Sequence, residues 1–445
     1  MPQQPPRSGP RPWQLFRRDS REPATDWPSN WPQLQARRYL GSLPTQACLA
    51  HSIPTDIRQR SIVRSSFACL PRAKRQADVV HSARHLHSEA HDVAQSLRRR
   101  GREVWPLIRR NADLGQVVSV HRDLPDIRTE TARWRAGEPI FLPAILGDAT
   151  ERFAPQIEET LRMFDRLRAD GELLPEIDTR LQDDQNFRYA GSTVDQEDPR
   201  EVERLFVDAE IAGEVVAEDL WAKLAWITAE DPSDESLRIR FSNGLDQLEE
   251  WMLTSDQTAS WVDQFAQRTF PECNAVLLCK PLRERLDRLI ERPHRLSERI
   301  IYSNAPNGGA IFHHDAEPGQ LGVVFTQLEG RTAWFSLGKR RLAKLLVQSG
   351  LRNEHRAMTA LDAADDQGLL ELLNRDADFA ALLAAHGALF LLQAGDSILL
   401  PTASFTDTAW HSVLAVGEQP SLAHSYGIFG RADDYQLDGD PWLSR

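Results

Sequence analysis

The sequence predicts an α+β protein whose C-terminal part is an antiparallel β-barrel or jelly roll with one helical insert. Seven short runs between residues 298 and 430 are rich in β-branched or aromatic residues and are separated by Gly, Pro and Asp. Such punctuation is typical of antiparallel barrels and jelly rolls. Residues 339–386 break the pattern, because LAKLLVQSGL, DDQGLLELLNR and DFAALLAAHG predict helices.

The elements ahead of the barrel predict a mixed, mainly helical region. We place this region at residues 101–295 and the barrel at residues 296–435. GEPIFLPAIL, residues 137–146, predicts a short strand that enters a turn. Residues 151–171 carry apolar side chains near a 3.6-residue spacing and end at a glycine, which predicts an amphipathic helix with a C-terminal stop.

Two further segments predict helices, because their tryptophans recur at the spacing of a packed helix face. They are residues 220–232 (LWAKLAWITAEDP) and residues 245–270 (LDQLEEWMLTSDQTASWVDQFAQRTF). Residues 181–201 are polar and rich in turn-forming residues, which predicts a long surface loop. The tryptophans in these segments are interpreted as core residues.

Residues 1–100 predict a basic, partly disordered N-terminal extension. Residues 1–110 contain 20 Lys and Arg against 8 Asp and Glu, whereas the other 335 residues contain 33 against 57. A basic arm can bind nucleic acid through phosphates, and a solvated tail that packs against the acidic remainder explains the composition equally well. Four histidines of this extension have spacings that favour a polar helix surface: His81, His85, His87 and His91.

Composition limits the class of protein. The chain has 445 residues, 41% of them hydrophobic, which is enough for two or three domains with real cores. No run of about eighteen apolar residues occurs, and the N-terminus lacks the apolar core of a signal peptide. The four cysteines form no CxxC pair, which argues against a disulfide framework or a structural zinc site. We expect a soluble, reduced, cytoplasmic protein without a membrane partner.

The stretch NGGAIFHHDAE, which begins at Asn307, is the main candidate for chemistry. Alternate side chains of a strand share a face, so His313 and Asp315 are expected to point one way and His314 the other. An imidazole and a carboxylate on neighbouring positions of one face can supply two ligands to a divalent metal. A strand with an ordinary polar edge is the alternative interpretation of the same pattern.

A third ligand has to come from another strand, and TAWHSVLAV supplies His411. Two histidines and one carboxylate occupy one face of a coordination sphere and leave its other positions open. This arrangement suits iron(II) that binds dioxygen and a co-substrate together. The sequence therefore predicts a metal site formed by His313, Asp315 and His411.

The motifs GGAIFHHD, QLEGRTAW, GDSILLP, WHSVLAV and SYGIF resemble those of Jumonji-C type oxygenases that depend on iron(II) and 2-oxoglutarate, in particular the ribosomal-oxygenase-like kind. The resemblance covers Ile300 to Gly430. It implies a double-stranded β-helix of the cupin superfamily, with Fe(2+) on His313, Asp315 and His411 as the catalytic residues. It also implies hydroxylation or demethylation coupled to decarboxylation of 2-oxoglutarate.

The expected co-substrate pocket departs from the family pattern. Family members usually carry Lys or Arg two residues after the strand glycine, where it pairs with the distal carboxylate of 2-oxoglutarate. After Gly330 that position is Thr332, and Arg331 faces the opposite way in a regular strand. A β-bulge at Gly330 would re-aim Arg331 inward, and Arg299 or Lys280 would be substitutes.

Further candidates for hydrogen bonds to the co-substrate are Tyr302, Asn304 and Ser425. Three functions therefore remain open. The first is a 2-oxoglutarate-dependent iron(II) oxygenase that hydroxylates a protein side chain or a small molecule. The second, favoured by Thr332, is a metal-cupin enzyme that does not use 2-oxoglutarate. The third is a non-catalytic binding module that uses the basic arm. A homodimer is compatible with each of them.

Overall fold

The computed structural model describes most of the chain between residues 103 and 430. The described ranges are 103–110, 112–118, 124–182, 184–195, 198–228, 233–243, 256–317, 319–351, 353–363, 367–402 and 404–430. The predicted basic extension, residues 1–100, and its four histidines lie outside the described residues, so their predicted structure stays a prediction.

The strands form three antiparallel sheets. The bounds of the strands are β1 Val104–Arg109, β2 Ala112–Val118, β3 Ile140–Leu142, β4 Phe187–Thr193, β5 Glu201–Ile211, β6 Glu214–Trp226, β7 Leu237–Asn243, β8 His294–Asn304, β9 Gln320–Glu329, β10 Arg331–Gly338, β11 Leu389–Gln393, β12 Ser397–Pro401, β13 Ala409–Ala415 and β14 Ser421–Gly430. The large sheet has the order β3-β12-β9-β14-β8-β7-β6-β5-β4, the small sheet β11-β10-β13, and β1 and β2 form a hairpin.

The described helices lie between β2 and β4, between β7 and β8, and between β10 and β11. Their bounds are α1 Ile127–Arg135, α2 Ala149–Arg152, α3 Ala154–Asp170, α4 Leu173–Leu181, α5 Asp256–Thr269, α6 Asn274–Leu277, α7 Lys280–Ile290, α8 Lys339–Gln348, α9 Glu354–Ala363, α10 Gln367–Arg375 and α11 Ala377–Ala385. The predicted helix that stops at Gly171 is α3, whose C-terminal glycine adopts a left-handed conformation. None of the described helices is long and apolar enough to cross a membrane.

The large and small sheets pack face to face through a shared apolar core. Phe325 of β9 contacts Trp334 of β10, with ring centroids 4.4 Å apart. The same core contains Phe390 of β11, Ile398 of β12 and Val413 of β13. The chain is therefore an α+β protein with a large antiparallel sheet, and its two packed sheets enclose the space in which a site can form.

The prediction of a helix over residues 220–232 is wrong, because Leu220 to Trp226 belong to β6. Residues 220–225 of this strand are all buried, so they lack the alternation of polar and apolar residues that marks a half-buried strand. Residues 181–201 are not one long loop either, since β4 lies within them. Because β7 pairs with β8, one sheet also runs across the predicted boundary at residues 295 and 296.

The two faces of β8 have different neighbours. Glu298, Ile300, Tyr302 and Asn304 face a cavity on the concave side of the large sheet. The residues between them face the helices: Ile301 lies in the apolar core that β8 shares with α3, α5 and α7. This alternation decides which residues of β8 are available to a ligand.

A buried polar cluster lies between β14 and the turn that follows α5. The Cys273 Sγ is 3.5 Å from the His424 Nδ1, and the Glu272 Oε1 is 3.6 Å from the His424 Nε2. Burial alone would lower the pKa of His424, but the neighbouring Cys273 and Glu272 outweigh burial and raise this pKa to about 9. Protonated His424 therefore stabilises the fold.

We expect this cluster to make the stability of the protein depend on pH. Because the pKa of His424 rises from 6.5 to about 9 on folding, its contribution is complete below pH 6.5 and is lost as the pH rises to about 9. The free energy of unfolding should fall by about 3 kcal/mol more in the parent protein than in His424→Gln over this interval. Urea denaturation at both pH values measures the difference. An equal change in the free energy of unfolding for the two proteins would contradict the prediction.

Candidate metal centre

The two predicted histidine ligands are direct cross-strand neighbours. His313 donates its backbone N–H to the His411 carbonyl at 2.9 Å, and His411 donates its own to the His313 carbonyl at 2.8 Å. The segment that precedes His313 therefore runs along the free edge of β13, although only single bridges connect the two. Side chains of such a pair lie on the same face, and the two imidazole centroids are 4.2 Å apart.

Asp315 closes the group from the other side. Its Oδ1 lies 3.3 Å from the His313 Nε2 and its Oδ2 lies 3.5 Å from the His411 Nε2. One ligand atom from each of the three residues lies within 4.8 Å of the others. The structure thus brings together the three residues that the sequence singled out, in an arrangement that a single ion can bridge.

The protonation of the group suits a metal. His313 donates its Nδ1–H to the Ile311 carbonyl at 2.7 Å, which leaves the lone pair on Nε2. Burial, with a smaller effect of His313, lowers the pKa of His411 to about 3 against the opposing charge of Asp315, so His411 is neutral near pH 7. Burial opposes ionisation of Asp315, yet His411 and His313 hold its pKa well below the usual range. A neutral His411 and an ionised Asp315 are the forms in which these two groups bind iron(II).

His314 lies on the opposite side of the segment. Its ring packs edge to face against Trp410 at 5.2 Å and Phe405 at 5.8 Å, and 4% of the residue is exposed. Its Nδ1 accepts the backbone N–H of Ala316 at 3.2 Å. In the structure His314 is thus a core residue beside the site, with its ring turned away from the three ligand atoms.

Side chains from distant parts of the chain hold the segment that carries His313. The Asp234 carboxylate accepts the backbone N–H of Gly309 at 3.1 Å, and the Asn374 Oδ1 accepts that of Phe312 at 2.8 Å. Asp234 lies just before β7 and Asn374 lies on α10 of the insert. The position of the metal ligands therefore depends on elements outside the small sheet.

Substitution of Gly309 tests how tightly this segment is held. Gly309 has φ +132°, and a Cβ there would meet the Val413 carbonyl oxygen at 2.6 Å. We expect Gly309→Ala to reduce the free energy of unfolding by about 1–3 kcal/mol more than Gly417→Ala. Gly417 is the matched control, because its φ is +108° but open space surrounds it. Chemical denaturation measures the free energy of unfolding of both variants. An equal decrease in the two variants would show that the close contact at Gly309 does not destabilise the protein.

The three residues open onto a cavity on the concave face of the large sheet. Its walls combine apolar side chains from both sheets with a cationic end. The apolar and aromatic part includes Val323, Phe325, Trp334, Leu400 and Val413, and the basic part consists of Arg200, Arg238 and Arg240. The Trp334 ring stacks on that of His411, with centroids 5.2 Å apart and planes inclined by 21°.

Three of the predicted co-substrate residues line this cavity. Tyr302, Asn304 and Ser425 lie on its wall, and the Ser425 hydroxyl is 3.5 Å from that of Tyr302. Burial raises the pKa of Tyr302 to about 12, with a contribution from Asp315 and against the charges of Arg238 and Arg240. Tyr302 is therefore a neutral hydrogen-bond donor close to the proposed metal.

Arg331 and Thr332 do not line the cavity. The Arg331 guanidinium lies 5.0 Å from the centre of the Trp105 ring, on the outer hairpin. The Thr332 hydroxyl donates to the Gln327 Oε1 at 2.7 Å and accepts from the Trp334 Nε1 at 3.0 Å, so it supports the indole that fills this part of the cavity. Gly330 forms the turn between β9 and β10 and does not re-aim Arg331 inward.

The two substitute cations are also placed elsewhere. Arg299 lies on the helix-facing side of β8, where its Nη2 is 3.1 Å from the Asp263 Oδ1. The Lys280 side chain is 79% exposed at the start of α7 and lies 3.7 Å from Glu284. Neither lines the cavity, so the structure does not support either as a partner of a ligand bound there.

Sequence reasoning missed the basic residues that do line the cavity. Arg238 and Arg240 lie on β7, directly across from Tyr302 and Ile300 of β8. The run LRIRFSN alternates apolar and polar side chains, which is the signal of a strand with both arginines on one face. Arg200 precedes β5, and its Nε lies 2.9 Å from the Asp198 Oδ1.

Comparisons with known proteins return oxygenases among solved structures. No family model and no curated protein matches the chain. The carbocyclase SnoK from nogalamycin biosynthesis, described as non-heme and alpha-ketoglutarate dependent, aligns at 14% identity and TM-score 0.32 over 71% of this chain and 92% of its own. AviO1 from Streptomyces viridochromogenes aligns at 12% and 0.31, over 70% and 97%. The ribosomal oxygenase YcfD from Escherichia coli aligns at 12% and 0.22, over 53% of this chain and 41% of its own.

Proposed function

We propose that the chain is an iron(II)- and 2-oxoglutarate-dependent oxygenase built on a double-stranded β-helix of the Jumonji-C and cupin type. The observation that carries the proposal is the convergence of His313, Asp315 and His411 on the wall of a cavity that Arg200, Arg238 and Arg240 also line. Two imidazoles and one carboxylate on one face suit iron(II) with open positions. In this proposal, the two packed sheets are the two halves of the double-stranded β-helix.

The charges of the cavity fit a dicarboxylate. A buried carboxylate needs a cation, and a guanidinium can bond it in bidentate fashion. Arg238 and Arg240 are the residues that we assign to the distal carboxylate of 2-oxoglutarate, with Tyr302 as a hydrogen-bond donor beside them. Arg240 also pairs with Glu298 at 3.0 Å. Arg238 is the first candidate because it lies directly across from Tyr302.

Each remaining residue has a role that follows from its place. When bound, iron(II) would bring dioxygen, the oxidant, together with 2-oxoglutarate, the two-electron donor that becomes succinate and CO2, and so supply the chemistry that converts a C–H bond of the substrate to C–OH. His313 and His411 would hold the metal through Nε2. Trp334 stacks on the His411 ring, and Phe325 with Leu400 keeps water from the inner part of the cavity. The substrate class that we propose is a protein side chain or a small molecule.

Metal content and co-substrate turnover test the proposal. Protein purified without oxygen and loaded with iron(II) should hold one iron per chain, and it should release succinate from 2-oxoglutarate when oxygen is admitted. Iron without succinate would support the second candidate, a metal-cupin enzyme that does not use 2-oxoglutarate. The burial of Thr332 at the position where the family has Lys or Arg favours that candidate. Failure to bind iron would leave a binding module.

A further inference from the structure

Arg109 is a buried cation that joins the two chain segments carrying the histidines. It is the last residue of β1, and 2% of it is exposed. Its Nη1 donates to the Ala310 carbonyl at 2.9 Å, while its Nη2 donates to the Ser412 hydroxyl at 3.2 Å and the Val413 carbonyl at 3.3 Å. Ala310 lies three residues before His313, and Ser412 follows His411. One guanidinium thus spans both segments from the side opposite the metal ligands.

The environment of Arg109 is costly for a positive charge. Burial, reinforced by Arg110 and Arg375 and opposed by Asp234, lowers the pKa of Arg109 to about 9. Its hydrogen-bond acceptors among the described residues are two backbone carbonyls and one hydroxyl, and its Nε has no acceptor there. Such a position does little for stability compared with an apolar side chain of similar volume. A role in positioning the neighbouring backbone segments explains why a guanidinium occupies this site.

The segment before His313 needs such a tie. Its backbone meets β13 through separate hydrogen bonds at Gly308, Ala310 and His313 rather than through a regular ladder. A guanidinium holds its donors in a rigid plane. Simultaneous hydrogen bonds to both segments therefore fix the distance between the two segments. A lysine has a single ammonium group on a flexible stem and cannot reproduce that spacing.

We propose that Arg109 is a positioning residue of the metal centre, which sets the spacing between the His313 segment and β13 so that both Nε2 atoms meet one ion. This inference rests on the metal site of the proposed function. It concerns affinity and coordination geometry, and it needs no assumption about the substrate or about 2-oxoglutarate.

Cobalt(II) binding to the metal-free full-length chain tests this role. We expect Arg109→Met to weaken cobalt(II) binding about 10- to 100-fold, as loss of groups that orient metal ligands usually does. The visible absorption bands of bound cobalt(II), which report coordination geometry, should change as well. Arg109→Lys should recover part of the affinity without restoring the parent spectrum. Circular dichroism shows that each variant is folded.

Arg331→Ala is the matched control. Its guanidinium packs on Trp105 of the same hairpin, so this variant perturbs the hairpin without touching the His313 segment. Affinity and spectrum should stay those of the parent. If folded Arg109→Met binds cobalt(II) with parent affinity and spectrum, the role is refuted. If Arg109→Met does not fold, the Arg109→Lys spectrum decides, and an unchanged spectrum refutes the role. A parent protein that binds no cobalt(II) overturns the metal site itself.

Discussion

Replacement of Asp315 by alanine is expected to abolish stoichiometric iron binding while the fold is retained. Asp315 supplies the carboxylate of the trio, and its Oδ1 and Oδ2 each lie within 3.5 Å of an imidazole Nε2. Two histidines alone bind iron(II) weakly, because this metal prefers a site that includes an oxygen ligand. The Asp315 side chain is 33% exposed, so its removal leaves little void in the core. Iron per chain measured by mass spectrometry, with circular dichroism on the same sample, checks both parts.

His314→Ala is the control for this experiment. His314 is buried against Trp410 and Phe405 and is turned away from the ligand atoms. Its truncation should lower the melting temperature by creating a cavity, yet leave one iron per chain. Full iron retention in Asp315→Ala would refute the assignment of the three ligands. Iron loss confined to His314→Ala would place the site on the other face of the segment.

The second large effect is expected from Arg238→Met. Loss of the cation across from Tyr302 should raise the 2-oxoglutarate concentration for half-maximal succinate release about 10- to 100-fold, since a charged hydrogen bond contributes about 1.5–3 kcal/mol. Iron content should stay unchanged, because Arg238 lies on β7, across from Tyr302 of β8, and is not a member of the His313, Asp315 and His411 group. Succinate release over a range of 2-oxoglutarate concentrations measures the shift.

Arg331→Ala and Thr332→Ala are the controls for Arg238. The structure places Arg331 on Trp105 and Thr332 beneath Trp334, so the first should leave the 2-oxoglutarate requirement unchanged and the second should change it little. A strong rise in Arg331→Ala with none in Arg238→Met would restore the pairing that the sequence suggested. A parent protein that does not bind 2-oxoglutarate would favour the second candidate function.

The convergence of His313, Asp315 and His411 could be predicted because most of its signal is local. His313 and Asp315 are two residues apart, and alternation in an extended chain is enough to place them on one face. His411 follows from the order of the strands. The structure adds that His313 and His411 are paired by mutual backbone hydrogen bonds, which no spacing in the sequence reveals.

The co-substrate side could not be predicted from the motif alone. Alternation correctly put Thr332 on the inward face, but Trp334 shares that face and its indole occupies the space. Arg238 and Arg240 were missed because they lie before the stretch that resembles the family. Their strand also adjoins β6, which we predicted as a helix from the spacing of its tryptophans. Residues 220–225 of β6 are all buried, so they show none of the alternation that marks a half-buried strand. Burial by the tertiary structure thus removed the signal.

The tether from Asn374 to Phe312 has a thermodynamic consequence. The insert, the β1–β2 hairpin through Arg109 and the Asp234 loop each contribute a hydrogen bond to residues 309–312 or to β13. A metal that binds only the folded arrangement stabilises every element that the arrangement requires. The coupling is reciprocal, so loosening of the helical insert must weaken metal binding by the same free energy. Metal binding at the proposed site and local unfolding of the insert are therefore thermodynamically linked.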